Sequence, residues 1–163
     1  MSNLEASYKI ILSELRKISE NENLYFKPIR PKLSDLELIS LVILAEFKSI
    51  DSEHQLFRDI EGFEIESKIE RSVYNRRKRK LFPFMEEIRV KMVEKFNEFE
   101  NYFVVDSMPL EVCKISRSSR SKICKERDYA FPNKGFCASQ NLHFYGYKLH
   151  AVCSISGVFQ SFD

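Results

Sequence analysis

Glycine and proline are scarce. The 163 residues hold four of the first and five of the second, which excludes a collagen-like or low-complexity chain. Long apolar runs are also missing: the longest, Leu41 to Ala45, falls far short of the roughly 20 residues that span a bilayer, so no membrane role is expected. The opening Met1-Ser2-Asn3-Leu4-Glu5 lacks the basic segment followed by an apolar one that marks a secretory signal, and a cytoplasmic location is the expectation. Cysteine occurs four times, at Cys113, Cys124, Cys137 and Cys153, never as a Cys-x-x-Cys pair, and His143 and His150 add no established zinc spacing. Reduced, buried thiols are therefore expected.

An excess of one charge is absent as well, since 26 Lys and Arg face 24 Asp and Glu for a net charge of +2. The distribution says more than the sum. Arg71 to Lys80 holds six basic residues and no acid, whereas Glu61 to Glu70 holds four acids and one Lys. With 44% apolar and 13% aromatic residues the chain can build one ordinary domain or two small ones with real cores.

The periodicity divides the chain into a helical region, residues 1–100, and a strand-rich region, residues 101–163, with the change near Asn101. Leu4, Tyr8, Ile11, Leu12, Leu15 and Ile18 recur at three- and four-residue steps, the signature of one buried helix face. Ser34-Asp35-Leu36-Glu37 has the form of a capping box, and the Leu38 to Phe47 stretch after it is apolar nearly all round, as a central helix would be. Ser52-Glu53-His54-Gln55 and Ser67-Lys68-Ile69-Glu70 predict two further starts, with Gly62 closing the first. The helix from Ser67 is predicted to run to about Phe82, with Pro83 opening another whose stripe is Met85, Ile88, Met92, Phe96 and Phe99.

In the second region Tyr102-Phe103-Val104-Val105 predicts a short buried strand ending at Asp106, Glu111 to Gln140 a long loop, and Tyr147–Ser154 with Val158–Phe162 a hairpin turned at Gly157. The fold class is thus α+β. Two features carry chemistry. The basic helix, with Arg71, Tyr74, Asn75, Arg76, Arg77, Lys78, Arg79 and Lys80, favours phosphate and suits a recognition helix laid in the major groove of DNA, where Tyr74 and Asn75 would add phosphate or base-edge contacts. The alternative is a solvated surface helix. Asp106 stands where α/β enzymes hold a metal, or else makes local turn hydrogen bonds with Ser107. The run Ser116 to Lys122 is basic and Ser-rich, a phosphate-tracking loop or a solvated one.

Tyr102-Phe103-Val104-Val105-Asp106-Ser107-Met108-Pro109-Leu110, the basic Cys113 to Lys125 segment, Tyr129-Ala130-Phe131-Pro132-Asn133-Lys134-Gly135 and His143-Phe144-Tyr145-Gly146-Tyr147-Lys148-Leu149-His150 together resemble the DDE transposases of bacterial insertion sequences, in particular the insertion-sequence family numbered nine-eight-two. The resemblance extends over essentially the whole chain. It implies a helix-turn-helix-like DNA-binding region followed by the first strands of a ribonuclease-H-like domain, Asp106 as the first catalytic and metal-ligating carboxylate, Mg²⁺ or Mn²⁺ as cofactor, and the inverted-repeat ends of a transposon as DNA partner. The family's second Asp and its Glu lie beyond these strands, and Asp163 does not match the second Asp. The reading is then an incomplete ribonuclease-H-like domain on a truncated chain that binds DNA, holds metal weakly and does not cut. Self-association or pairing with full-length transposase is expected from the sheet's unpaired edge and apolar face. A non-catalytic DNA-binding module, an inhibitor of the full-length enzyme, and a remnant whose second half does not fold are the alternatives.

Overall fold

A computed structural model describes residues 3–96, 102–124 and 130–163. It is α+β, with helices first and an antiparallel sheet after them, and it divides into two compact units, Met1–Glu94 and Lys95–Asp163.

The helical unit is built from α1 (Asn3–Ile18), α2 (Asp35–Phe47), α3 (Glu53–Asp59) and α4 (Arg71–Phe96). In α1 the expected stripe is buried at Tyr8, Leu12 and Leu15, with Leu4, Ile11 and Ile18 packed at its margin. The capping box before α2 forms in both directions: the Glu37 amide donates to Ser34 Oγ at 3.1 Å, and the Ser34 amide donates to Glu37 Oε2 at 2.7 Å. Behind it α2 is the centre of the core, with Leu36, Leu38 and Leu41 fully buried. Its one interior hydroxyl, Ser40, donates back to the Leu36 carbonyl at 2.8 Å, which spares the core an unpaired polar group.

Two local expectations are corrected. Ser67 does not cap a helix, because its hydroxyl donates to the Glu64 carbonyl at 3.0 Å and closes a short 3₁₀ turn, Glu66–Lys68. Ile69 follows in extended conformation and is buried, so α4 starts only at Arg71. Pro83, expected to open a new helix, lies inside α4. The missing amide falls on a solvent-exposed stretch beside exposed Phe82, while Leu81 and Ile88 on the other side are held in the core. Seven residues apart, those two share a face and carry the helix through the interruption. Phe99 and the boundary near Asn101 lie outside the described residues.

The sheet unit contains β1 (Phe103–Cys113), β2 (Asn133–Cys137), β3 (Leu142–Ser154) and β4 (Phe159–Phe162). The long β3 is central. One of its edges pairs with β1 from Phe103↔Ser154 to Cys113↔Tyr145; its other edge pairs with β2 over Leu142 to Gly146 and with β4 over Ala151 to Cys153, all antiparallel. The β3–β4 hairpin is the expected one, turned at Gly157 with φ of 88°. Three other expectations change. The first strand runs eleven residues instead of four and is not buried: Val104 and Val105, which point to opposite faces, are both exposed, and Pro109 is tolerated because among the described residues β1 pairs on one edge only. The expected loop from Glu111 to Gln140 contains the end of β1, a 3₁₀ turn at Ile115–Arg117 and all of β2. The four thiols are free but half-buried, not buried.

Gly146 is where three strands close up. A bulge shifts the register between Glu111 and Cys113, and a β-carbon on Gly146 would sit 1.9 Å from the Leu110 carbonyl oxygen. Backbone cannot yield that much. Gly146→Ala should therefore break the β1–β3 ladder at the bulge, seen as faster amide hydrogen exchange in Glu111 to Cys113, with an overall loss of about 1–3 kcal/mol in urea denaturation.

Candidate nucleic-acid interface

The eight basic-helix candidates divide by where α4 packs. Tyr74 belongs to the core: it is 1% exposed and meets Phe57 edge-on with ring centroids 5.6 Å apart, so it offers no surface to DNA. Asn75 is half-buried and its amide donates to Glu53 Oε1 at 2.7 Å, tying α4 to α3. Arg77 turns inward and donates through Nη2 to Asp35 Oδ1 at 2.7 Å. Its side chain is 11% exposed, against none for that of Asp35. These three side chains, expected to contact DNA, are engaged in contacts within the helical unit.

The remaining cations are free. Arg71, Arg76, Lys78, Arg79 and Lys80 make no ion pair among the described residues. Arg76, Arg79 and Lys80 stand at i, i+3 and i+4, so they share one face of α4. With Tyr25, Val73 and the edge of Arg77 they line an open groove of about 440 Å³.

The segment between α1 and α2 forms the groove's other wall, and Asp35 fastens it there. That buried carboxylate accepts from Lys27 Nζ, from Arg77 and from the Leu24 amide at 3.0 Å. Lys27 also lies 3.9 Å above the Tyr25 ring, which stacks on Phe84 of α4 at 6.3 Å. Burial by itself would push the Asp35 carboxyl up; the hydrogen bonds from Lys27, Arg77 and Leu24 outweigh it and hold the group below the usual carboxylate range. Arg77 Nε remains buried without a partner. The sequence had offered Asp35 only as a member of the capping-box segment Ser34-Asp35-Leu36-Glu37, and nothing in its spacing pointed to Lys27 or Arg77.

Asp106 lies in the middle of β1, opposite Ala151, and not at a strand end. It is exposed, and its Oδ1 accepts from the Ser107 amide at 2.7 Å. Around it Val104, Met108, Leu149, Ala151, Cys153 and Phe159 line a shallow cavity of about 300 Å³ in which Asp106 is the one acid among the described residues. Asp163 does not join it. Its backbone pairs with His150 in both directions, at 2.7 and 2.9 Å, and His150 adjoins Ala151, so strand alternation puts the two carboxylates on opposite faces. Among the described residues no three His, Cys, Asp or Glu converge. A two-ion phosphoryl-transfer centre needs several carboxylates about 3.5–4 Å-spaced metals can share. Asp106 alone does not fit that requirement.

Comparison with protein families, with curated proteins and with solved structures finds no match. Among the described residues no helix is long and apolar enough to cross a membrane.

Proposed function

We propose that the chain binds double-stranded DNA through the exposed cations of α4 and derives from the DDE transposases its sequence resembles, with the inverted-repeat ends of a mobile element as ligand. One observation carries this reading: Arg76, Arg79 and Lys80 share a face, lack ion-pair partners among the described residues and line one groove. In water such a cluster is balanced only by mobile ions, and releasing those ions to a phosphate backbone drives association. The helix-turn-helix-like role falls to α3 and α4, joined through the Asn75–Glu53 hydrogen bond. The ribonuclease-H-like reading is supported by Asp106 on the first strand and by the β3–β4 hairpin that follows, with β3 beside β1. Asp106 would there be the first ligand for Mg²⁺ or Mn²⁺, and the site of work the cytoplasmic nucleoid.

That Asp106 is the one acid among the described residues of its cavity favours a second reading, a non-catalytic module that occupies transposon ends and blocks a complete transposase. Purified chain is accordingly expected to bind DNA without nicking it. Mg²⁺-dependent nicking that Asp106→Asn abolishes would overturn that expectation.

Binding is tested by fluorescence anisotropy with duplex DNA over a series of salt concentrations. Replacing Arg76, Arg79 and Lys80 together by Ala should make the slope of log K against log salt shallower by about 3, at roughly 0.9 per lost phosphate contact, and weaken all sequences alike. Stability should change little, since exposed side chains are replaced. An unchanged slope would remove α4 from the interface. Preference for inverted-repeat ends supports the transposon reading; equal affinity for every duplex leaves a general DNA-binding surface.

A further inference from the structure

A second basic surface lies outside the helical unit. In the sheet unit, Lys114 to Lys122 contains four basic residues and no acid. Its backbone folds as two consecutive tight turns, with the Arg117 amide donating to the Lys114 carbonyl at 2.8 Å and the Arg120 amide to the Arg117 carbonyl at 3.1 Å. Arg117 and Arg120, three residues apart on these turns, line the same open trough of about 640 Å³, together with Ser121, Lys122, Cys113 and Ile123.

The trough is built, not draped. Ser118, between the two arginines, is buried at 7% exposure. Tyr147 of β3 donates its hydroxyl to the carbonyls of Cys124 at 3.3 Å and Ala130 at 2.7 Å, which fixes the chain on the far side of Lys122 to the central strand. Among the described residues Arg117, Arg120 and Lys122 have no ion-pair partner and no acid lines the trough.

We propose that this trough is a second contact for the phosphodiester backbone of duplex DNA, carried by the sheet unit and independent of α4. The identity of the polyanion rests on the DNA reading given above. Guanidinium and ammonium groups with a hydroxyl beside them match phosphate oxygens, the groups that take most protein–DNA hydrogen bonds. Duplex is favoured over single strands because among the described residues no aromatic side chain lines the trough as a platform for unpaired bases.

Three variants of the whole chain test it against a labelled duplex across a salt series: Arg117→Ala/Arg120→Ala/Lys122→Ala, Arg76→Ala/Arg79→Ala/Lys80→Ala, and all six together. The trough variant should lose about 3 from the salt slope, and the sixfold variant the sum of the two losses. Arg117→Lys/Arg120→Lys should keep the wild-type slope, which separates charge from folding. A trough variant with wild-type slope and affinity, beside an impaired α4 variant, overturns this proposal and leaves the α4 reading standing. An impaired trough variant beside an unaffected α4 variant supports the proposal and overturns the α4 reading. Tighter binding of single strands than of duplex overturns the choice of ligand.

Discussion

Asp35→Leu is expected to remove about 3–5 kcal/mol from the stability of the helical unit, read as a fall in the urea midpoint. The loss comes from what is left behind. With Asp35 gone, Lys27 and Arg77, whose side chains are 12% and 11% exposed, keep their charges out of water with no counter-charge. Arg77 Nε is already buried with no acceptor among the described residues, so none stands ready to take up the donor that loses Asp35. Removing all three charges together, as Lys27→Met/Asp35→Leu/Arg77→Met, should cost far less than Asp35→Leu alone, because no charge is stranded. Equal losses in the two variants would mean that Asp35 acts as an acid in the first turn of α2, not through its partners.

The same carboxylate gives the stability of the helical unit an acid limb. Its pKa in the folded state lies below the unfolded value near 3.9, since the hydrogen bonds from Lys27, Arg77 and Leu24 overcome burial. The folded state therefore binds the proton less readily than the unfolded chain. The contribution of Asp35 is complete above about pH 4 and is lost as pH falls through the folded-state value. In Asp35→Asn that part of the pH dependence should vanish, leaving a flatter curve in the acid range.

Features set by local chemistry were legible in the sequence, and features set by distant partners were not. The stripe in α1, the uniform apolarity of α2 and the capping box at Ser34 need only neighbours within a few residues, and each forms as read. The hairpin at Gly157 is likewise local. Pro83 misled because Leu81 and Ile88 hold α4 together through the core, which overrides the proline's local preference. The strand Asn133–Cys137 contains Asn, Lys and Gly, poor β-formers, and owes its form to pairing with β3. At the candidate interface a count of basic residues could not distinguish Arg77 from Arg76. What separates them is a carboxylate 42 residues away in sequence, brought beside one and not the other by the packing of α4.

Tyr74→Ala should cost about 3–5 kcal/mol, the usual penalty for emptying the space of a buried aromatic ring. At 1% exposure beside Phe57, in the same core as Ile69 and the α2 leucines, the ring has little room for collapse around the void. Tyr74→Phe keeps the ring and should stay within about 1 kcal/mol of the wild type. Burial pushes the phenol's ionisation well up, with Glu53 and Glu46 adding to it, so the hydroxyl stays neutral and carries no charge to a ligand. DNA affinity should follow from this. Tyr74→Phe should bind duplex as the wild type does, because Arg76, Arg79 and Lys80 are untouched on the other side of α4. A Tyr74→Phe chain of normal stability that bound DNA more weakly would return the hydroxyl to the interface and displace the core assignment made from its burial.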